Sequence, residues 1–251
     1  MDKLKLYRKT INIFRNNLEN ISKNIDYFLE KTIEIGKTFG GPSLYFHKMA
    51  LLKQQNDFLG KEHLNMIYAV MPSWGMHRMG SKGAKMVNYD IFESEIMKNK
   101  NELHELRNLN YKNVGVNTIV NLLTKNIHVS TTNSYLVSSS KVLHHIIPNL
   151  VSPIDRNYSI RFMRKTNDNF GKNAMNITNE EAYALIFLQE MYMFLNKNEE
   201  KISKYIIKID DSNIYNSNFN TNMTKIFDNL IMTYIKENKG ELFDENDWNM
   251  I

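Results

Sequence analysis

Along residues 3–37, Leu4, Ile11, Phe14, Leu18, Ile21, Ile25, Phe28, Leu29 and Ile33 recur at spacings of three, four and seven. That period places them on one face of an α-helix, with polar residues on the other face. Similar patterns recur at 62–71, in two or more helices across 89–126, from 178 to Phe194, and at 223–236; residues 202–209 predict a further short helix. Only four prolines and ten glycines interrupt 251 residues. So few breakers favour helices over strands and turns, and the expected class is all-α. A hydrophobic share of 42% supplies a core for one compact unit spanning 1–251.

The absence of cysteine excludes disulfides, cysteine nucleophiles, thiolate zinc sites and iron–sulfur clusters. No metal-ligand set stands out, since the adjacent His144 and His145 point different ways on a helix, and no cofactor is expected. No run approaches the ~18 apolar residues of a membrane span. The basic N-terminus has no apolar region after it, so a cytoplasmic protein is expected. A formal net charge of +5 is compatible with a nucleic-acid partner.

Residues 136–164 are the most informative stretch. Ser138–Ser140 predict a tight turn and Lys141–Ile147 a short helix. Pro148 and Pro153 then break the chain. The segment between them, 149–152, is a stiff connector to Asp155, which as an N-cap opens a second helix. Such a connector holds Asp155 in place relative to Lys141; a plain helix–turn–helix corner would look similar.

Turn, lysine, apolar helix, then Pro153-Ile154-Asp155 resembles the core of the helix-hairpin-helix DNA glycosylases. That family carries Leu-Pro-Gly-Val-Gly-x-Lys followed by Pro-x-Asp. Here Val137-Ser138-Ser139 stand in place of Gly-Val-Gly, and the interval from lysine to aspartate is a few residues shorter. The resemblance implies two packed helical lobes with a cleft between them: 1–60 with 156–251, and 61–155 carrying the hairpin element at 136–155. It implies that backbone N–H groups of Ser138, Ser139 and Ser140 hold a DNA phosphate and that Asp155 is the catalytic carboxylate. Lys141 takes the position of the lysine that attacks the sugar in bifunctional members. The implied partner is double-stranded DNA, bound by a monomer.

Other stretches suit such a substrate. The aromatics Tyr45 and Phe46 follow the Gly40-Gly41-Pro42 break, where they would serve a base pocket or simply the core. Residues 72–85 combine Trp74, a stacking surface, with His77 and the cations Arg78, Lys82 and Lys85 at spacings of one helical face. Arg156, Arg161, Arg164 and Lys165 follow Asp155 and would meet a phosphate backbone. The expected reaction is hydrolysis of the N-glycosidic bond of a flipped, modified or damaged base, in repair or anti-phage defence. A non-enzymatic DNA-binding protein on the same scaffold and a protein-interaction module of a defence system remain as alternatives.

Overall fold

The computed structural model describes residues 3–38, with side chains from Tyr7, and residues 41–76, 85–131, 135–163, 179–210 and 212–238. The protein is all-α. Among these residues the β-pairing seen is one isolated antiparallel bridge, Met86–Ser130.

The periodicity of residues 3–37 resolves into two helices, α1 (Lys3–Lys23) and α2 (Ile25–Thr38). Phe14, Leu18 and Ile21 of α1 are buried, as are Phe28 and Leu29 of α2. Pro42 starts α3 (Pro42–Asn56), where its missing N–H costs nothing. The Asp57 carboxylate then caps α4 (Lys61–Met71) by accepting from the N–H groups of Glu62 and His63. The chain leaves helical geometry at Trp74 and at Gly75, whose φ of 80° is cheap only for glycine.

Helices α5 (Tyr89–Met97), α6 (Lys100–Leu106) and α7 (Val116–Asn121) follow, α5 packing on α4 and α7 on the later helix at 180–203, with α7 running on into a π turn, Leu122–Asn126. Helix α8 (Leu136–Ile146) is followed by the two prolines and a π turn, Arg156–Ile160. Helix α9 (Glu180–Ser203) is longer than its pattern suggested. It consumes the start of the predicted helix at 202–209, whose remainder is not helical. Helix α10 (Met223–Glu237) has every residue from Thr224 to Ile235 buried.

Helix α10 is the axis of one packed group, touching α2, α9 and the 156–160 turn, while α3, α4 and α8 pack together. One hydrophobic cluster runs through both groups, from Phe14 to Ile235. Phe14 joins three elements, edge-on to Phe162 at 5.6 Å and stacked on Phe187 at 5.8 Å. Gly36 lets α2 approach the 217–219 loop: a Cβ there would lie 2.3 Å from the Ser217 carbonyl oxygen. That loop carries Phe219. Lys48, fully buried, donates to the carbonyls of Asn213 and Asn216 in the preceding turn.

Candidate functional site

The predicted turn at Ser138–Ser140 is instead the first part of α8, and all three serines are fully buried. The physical reason is that each hydroxyl finds a carbonyl. Ser138 donates to Tyr135 and Ser140 to Val137, both three residues back, while Ser139 donates to Ile127 at 2.6 Å. Serines satisfied in this way do not compete with the helix. The backbone donors at the helix start, Tyr135 and Leu136, are taken by one Glu180 oxygen at 2.9 and 3.0 Å. A protein carboxylate therefore occupies the start of α8, where a helix N-terminus would otherwise take an anion. Ser138, Ser139 and Ser140 are removed from the phosphate-contacting set.

Ser140 has a different task. Its hydroxyl oxygen accepts the N–H of Ile154 at 3.0 Å, fastening the proline-stiffened connector to α8. Asp155 then caps the π turn, accepting from Asn157 N–H at 2.7 Å, while its own N–H donates to Ser159. The result is the juxtaposition expected from sequence: Lys141 Nζ lies 3.2 Å from Asp155 Oδ2. Lys141 also donates to the Trp74 carbonyl at 2.7 Å.

Lys141, Asp155 and Trp74 line a cavity of about 190 Å³ together with Ser43, Pro153, Tyr158, Phe219, Lys225, Asp228 and Asn229. Lys225 and Asp228, three residues apart on α10, form a second ion pair in which both side chains are 6% exposed. Lys225 Nζ also lies 4.7 Å from the Phe219 ring centroid and 5.4 Å from that of Trp74. Burial raises the Asp228 carboxyl above its ordinary range, opposed by Lys225 and assisted by Asp155. Burial likewise raises the Tyr158 phenol, with Asp155 and Asp228 adding to the effect.

Behind the cavity lies a group of buried imidazoles. His145 Nδ1 faces the Lys141 carbonyl at 2.8 Å, and a carbonyl can only accept, so Nδ1 carries the proton. His145 Nε2 therefore accepts, from His47 Nδ1 at 3.0 Å; His47 Nε2 then accepts from the Thr221 hydroxyl at 3.0 Å. His63 accepts the Leu59 N–H and donates to the His145 carbonyl. His144 donates to the Val151 carbonyl at 2.8 Å. The chain pins the Lys141 backbone from behind, and His47 stacks on Trp74 at 5.3 Å. Burial is the leading cause that lowers all four: His47 and His144 well below the usual range, His63 to about 4, His145 to about 3. Among the described residues no group of three or more His, Cys, Asp or Glu is arranged to hold a metal ion.

Of the predicted site residues, Lys141, Asp155 and Trp74 come together. Tyr45 is half-buried and stacks on Tyr215, and Phe46 packs on the core; neither lines the cavity. Arg156 is half-buried beside Asp155. Arg161 is only 8% exposed, because the turn after Asp155 directs it inward, and it leaves the DNA-facing set. His77, Arg78, Lys82 and Arg164 lie outside the described residues. Lys225 and Asp228 were missed. Their signal was a Lys-x-x-Asp-Asn series, 225–229, on a helix otherwise rich in apolar residues.

Among the described residues no helix is long and apolar enough to cross a membrane. No family model, no curated protein and no solved structure matches the chain.

Proposed function

We propose that the cavity is the active site of a DNA glycosylase that hydrolyses the N-glycosidic bond of a flipped, modified or damaged base. The observation that carries this is the Lys141–Asp155 pair, 3.2 Å apart in an aromatic-walled cavity. Its size falls below the about 300–1,000 Å³ typical of pockets for drug-sized ligands, which suits a single planar base better than a large cofactor.

As the glycosidic bond breaks, positive charge develops on the sugar. Asp155, one-third exposed at 34%, has the access and the negative charge to stabilise that cation and orient water. Lys141 holds Asp155 in place. With its Nζ donating both to a carbonyl and to a carboxylate, the lysine serves as an anchored donor rather than a nucleophile. Borohydride is therefore expected to trap no covalent protein–DNA adduct. Efficient trapping that disappears in Lys141→Ala would replace the hydrolytic mechanism with a strand-cleaving one.

With the start of α8 taken by Glu180, phosphate contact falls to other cations, among them Arg156, which follows Asp155 and is half-buried. Arg156→Ala is expected to weaken binding to duplexes of all sequences about equally and to reduce the salt slope by roughly one. An unchanged slope would take Arg156 off the DNA surface. The reading as a whole is tested by abasic-site formation on a panel of duplexes with oxidised, alkylated, deaminated and phage-type modified bases. Tight DNA binding without base release from any member would favour a non-enzymatic DNA-binding protein.

A further inference from the structure

We infer that the base taken into this cavity carries an exocyclic amino group, and that Asn229 selects it with a side-chain oxygen fixed as an acceptor. This rests on the glycosidic reading above and adds to it a substrate class and the residue that sets it.

Asn229 stands on α10, is 1% exposed and borders the cavity. An amide side chain can present either its oxygen or its NH2 group, and the two make opposite demands on a ligand. A line of hydrogen bonds starting on α2 decides which. The Leu29 carbonyl can only accept, so the Thr32 hydroxyl, 2.6 Å away, directs its one proton there. The Thr32 oxygen is then an acceptor, and the Asn220 atom 2.8 Å from it is the amide nitrogen. Asn220 therefore turns its oxygen to Asn229, again at 2.8 Å. Only Nδ2 of Asn229 can answer that oxygen, which leaves Asn229 Oδ1 as the other end. No described residue donates to this Oδ1. It is not sealed inside the protein either, so it opens on the cavity that Asn229 borders.

The neighbouring Asp228 gives Oδ2 to Lys225 and leaves Oδ1 without a donor on the same wall. The α10 wall thus offers acceptors, while Trp74, Tyr158 and Phe219 supply flat apolar surface for a planar ligand. A cytosine- or adenine-type base brings amino N–H groups to that wall. A uracil- or hypoxanthine-type base brings a carbonyl, setting oxygen against oxygen and leaving a buried acceptor unpaired.

The test places 5-hydroxymethylcytosine and 5-hydroxymethyluracil at one position in otherwise identical duplexes, and likewise adenine and hypoxanthine. Within each pair the amino group is exchanged for a carbonyl. Wild-type kcat/KM is expected to favour the amino member by about 10–10², the usual worth of a buried polar group left unpaired. Asn229→Leu should erase the preference. Asn220 is a positioning residue: Asn220→Leu frees the Asn229 amide to turn, so the carbonyl member should gain while the amino member loses. A merely structural defect lowers both members and leaves their ratio, and an unchanged ratio in either variant overturns the inference. Calorimetric titration of wild-type protein with the free bases needs no variant, and should rank cytosine above uracil and adenine above hypoxanthine. Release of both members at equal rates overturns the selection by Asn229 and keeps the glycosidic reading. Preferential binding of the free amino bases, with no release from any duplex, overturns the glycosidic reading and keeps the selection. Neither release nor binding overturns both.

Discussion

Acidification from pH 7 to pH 5 is expected to destabilise the protein strongly. His47, His63, His144 and His145 are buried as neutral rings, and burial lowers each below the ordinary imidazole range. In the unfolded chain each titrates near the unperturbed value of about 6.5. Below that pH the unfolded state binds protons that the folded state refuses, so stability is full above about pH 6.5 and declines as pH falls. The decline continues until the folded groups themselves titrate, at about 4 for His63 and about 3 for His145. His63 and His145 each remove about 1.4 kcal/mol per pH unit in this window, or about 2 kcal/mol by pH 5. Together they remove about 4 kcal/mol, and His47 and His144 act in the same direction, against a whole-domain stability of about 5–15 kcal/mol. Asp228, raised by burial, works in the other direction but is a single group. The hydrogen-bond chain sharpens the effect. A proton on His145 Nε2 would turn its 3.0 Å contact with His47 Nδ1 into two donors facing each other. Circular dichroism against pH should show a cooperative loss of helix with a midpoint above pH 4.5. A helical signal and thermal midpoint unchanged at pH 4 would mean that these rings are not buried neutral in solution.

The histidine cluster also marks where sequence ceases to be informative. His144 and His145 are adjacent in the chain, but His47 and His63 reach them only because α3, α4 and α8 pack together. Nothing local in Tyr45-Phe46-His47 distinguishes a core imidazole from a base contact. Helices α1, α2, α4 and α10 were legible because burial on one face leaves a period in the apolar residues. Lys141 and Asp155 were legible for a related reason: prolines and N-caps act through the backbone within a few residues. The serine triplet misled because its local signal is that of a turn, whereas its fate was decided by distant partners, the Ile127 carbonyl and the Ile154 N–H. Arg161 misled in the same way, since a cation written after a cap does not say which side of the turn it will face. Lys225 and Asp228 looked like the solvated side of an amphipathic helix. They are buried because α10 is surrounded on all sides, which no single helix pattern reveals.

Asp155→Asn is expected to abolish most base release while leaving the fold in place. Asp155 has two roles that this exchange separates. As a cap it accepts the Asn157 N–H at 2.7 Å, and asparagine caps about as well as aspartate. As a charge it faces Lys141 at 3.2 Å and, in the proposed reaction, the cation forming on the sugar. Asparagine keeps the first role and loses the second. Lys141 retains the Trp74 carbonyl, so its ammonium is not stranded inside the protein. Loss of one well-placed electrostatic contact to a transition state costs about 10²–10³ in rate. Affinity for duplex DNA should hold or rise, because a negative charge near the phosphates disappears. Base release and duplex binding measured on one purified variant decide between the two roles. Release at the wild-type rate would end the catalytic case for this carboxylate. A large drop in thermal midpoint, with undiminished release per folded molecule, would make Asp155 a structural cap whose ion pair with Lys141 only joins the connector to α8.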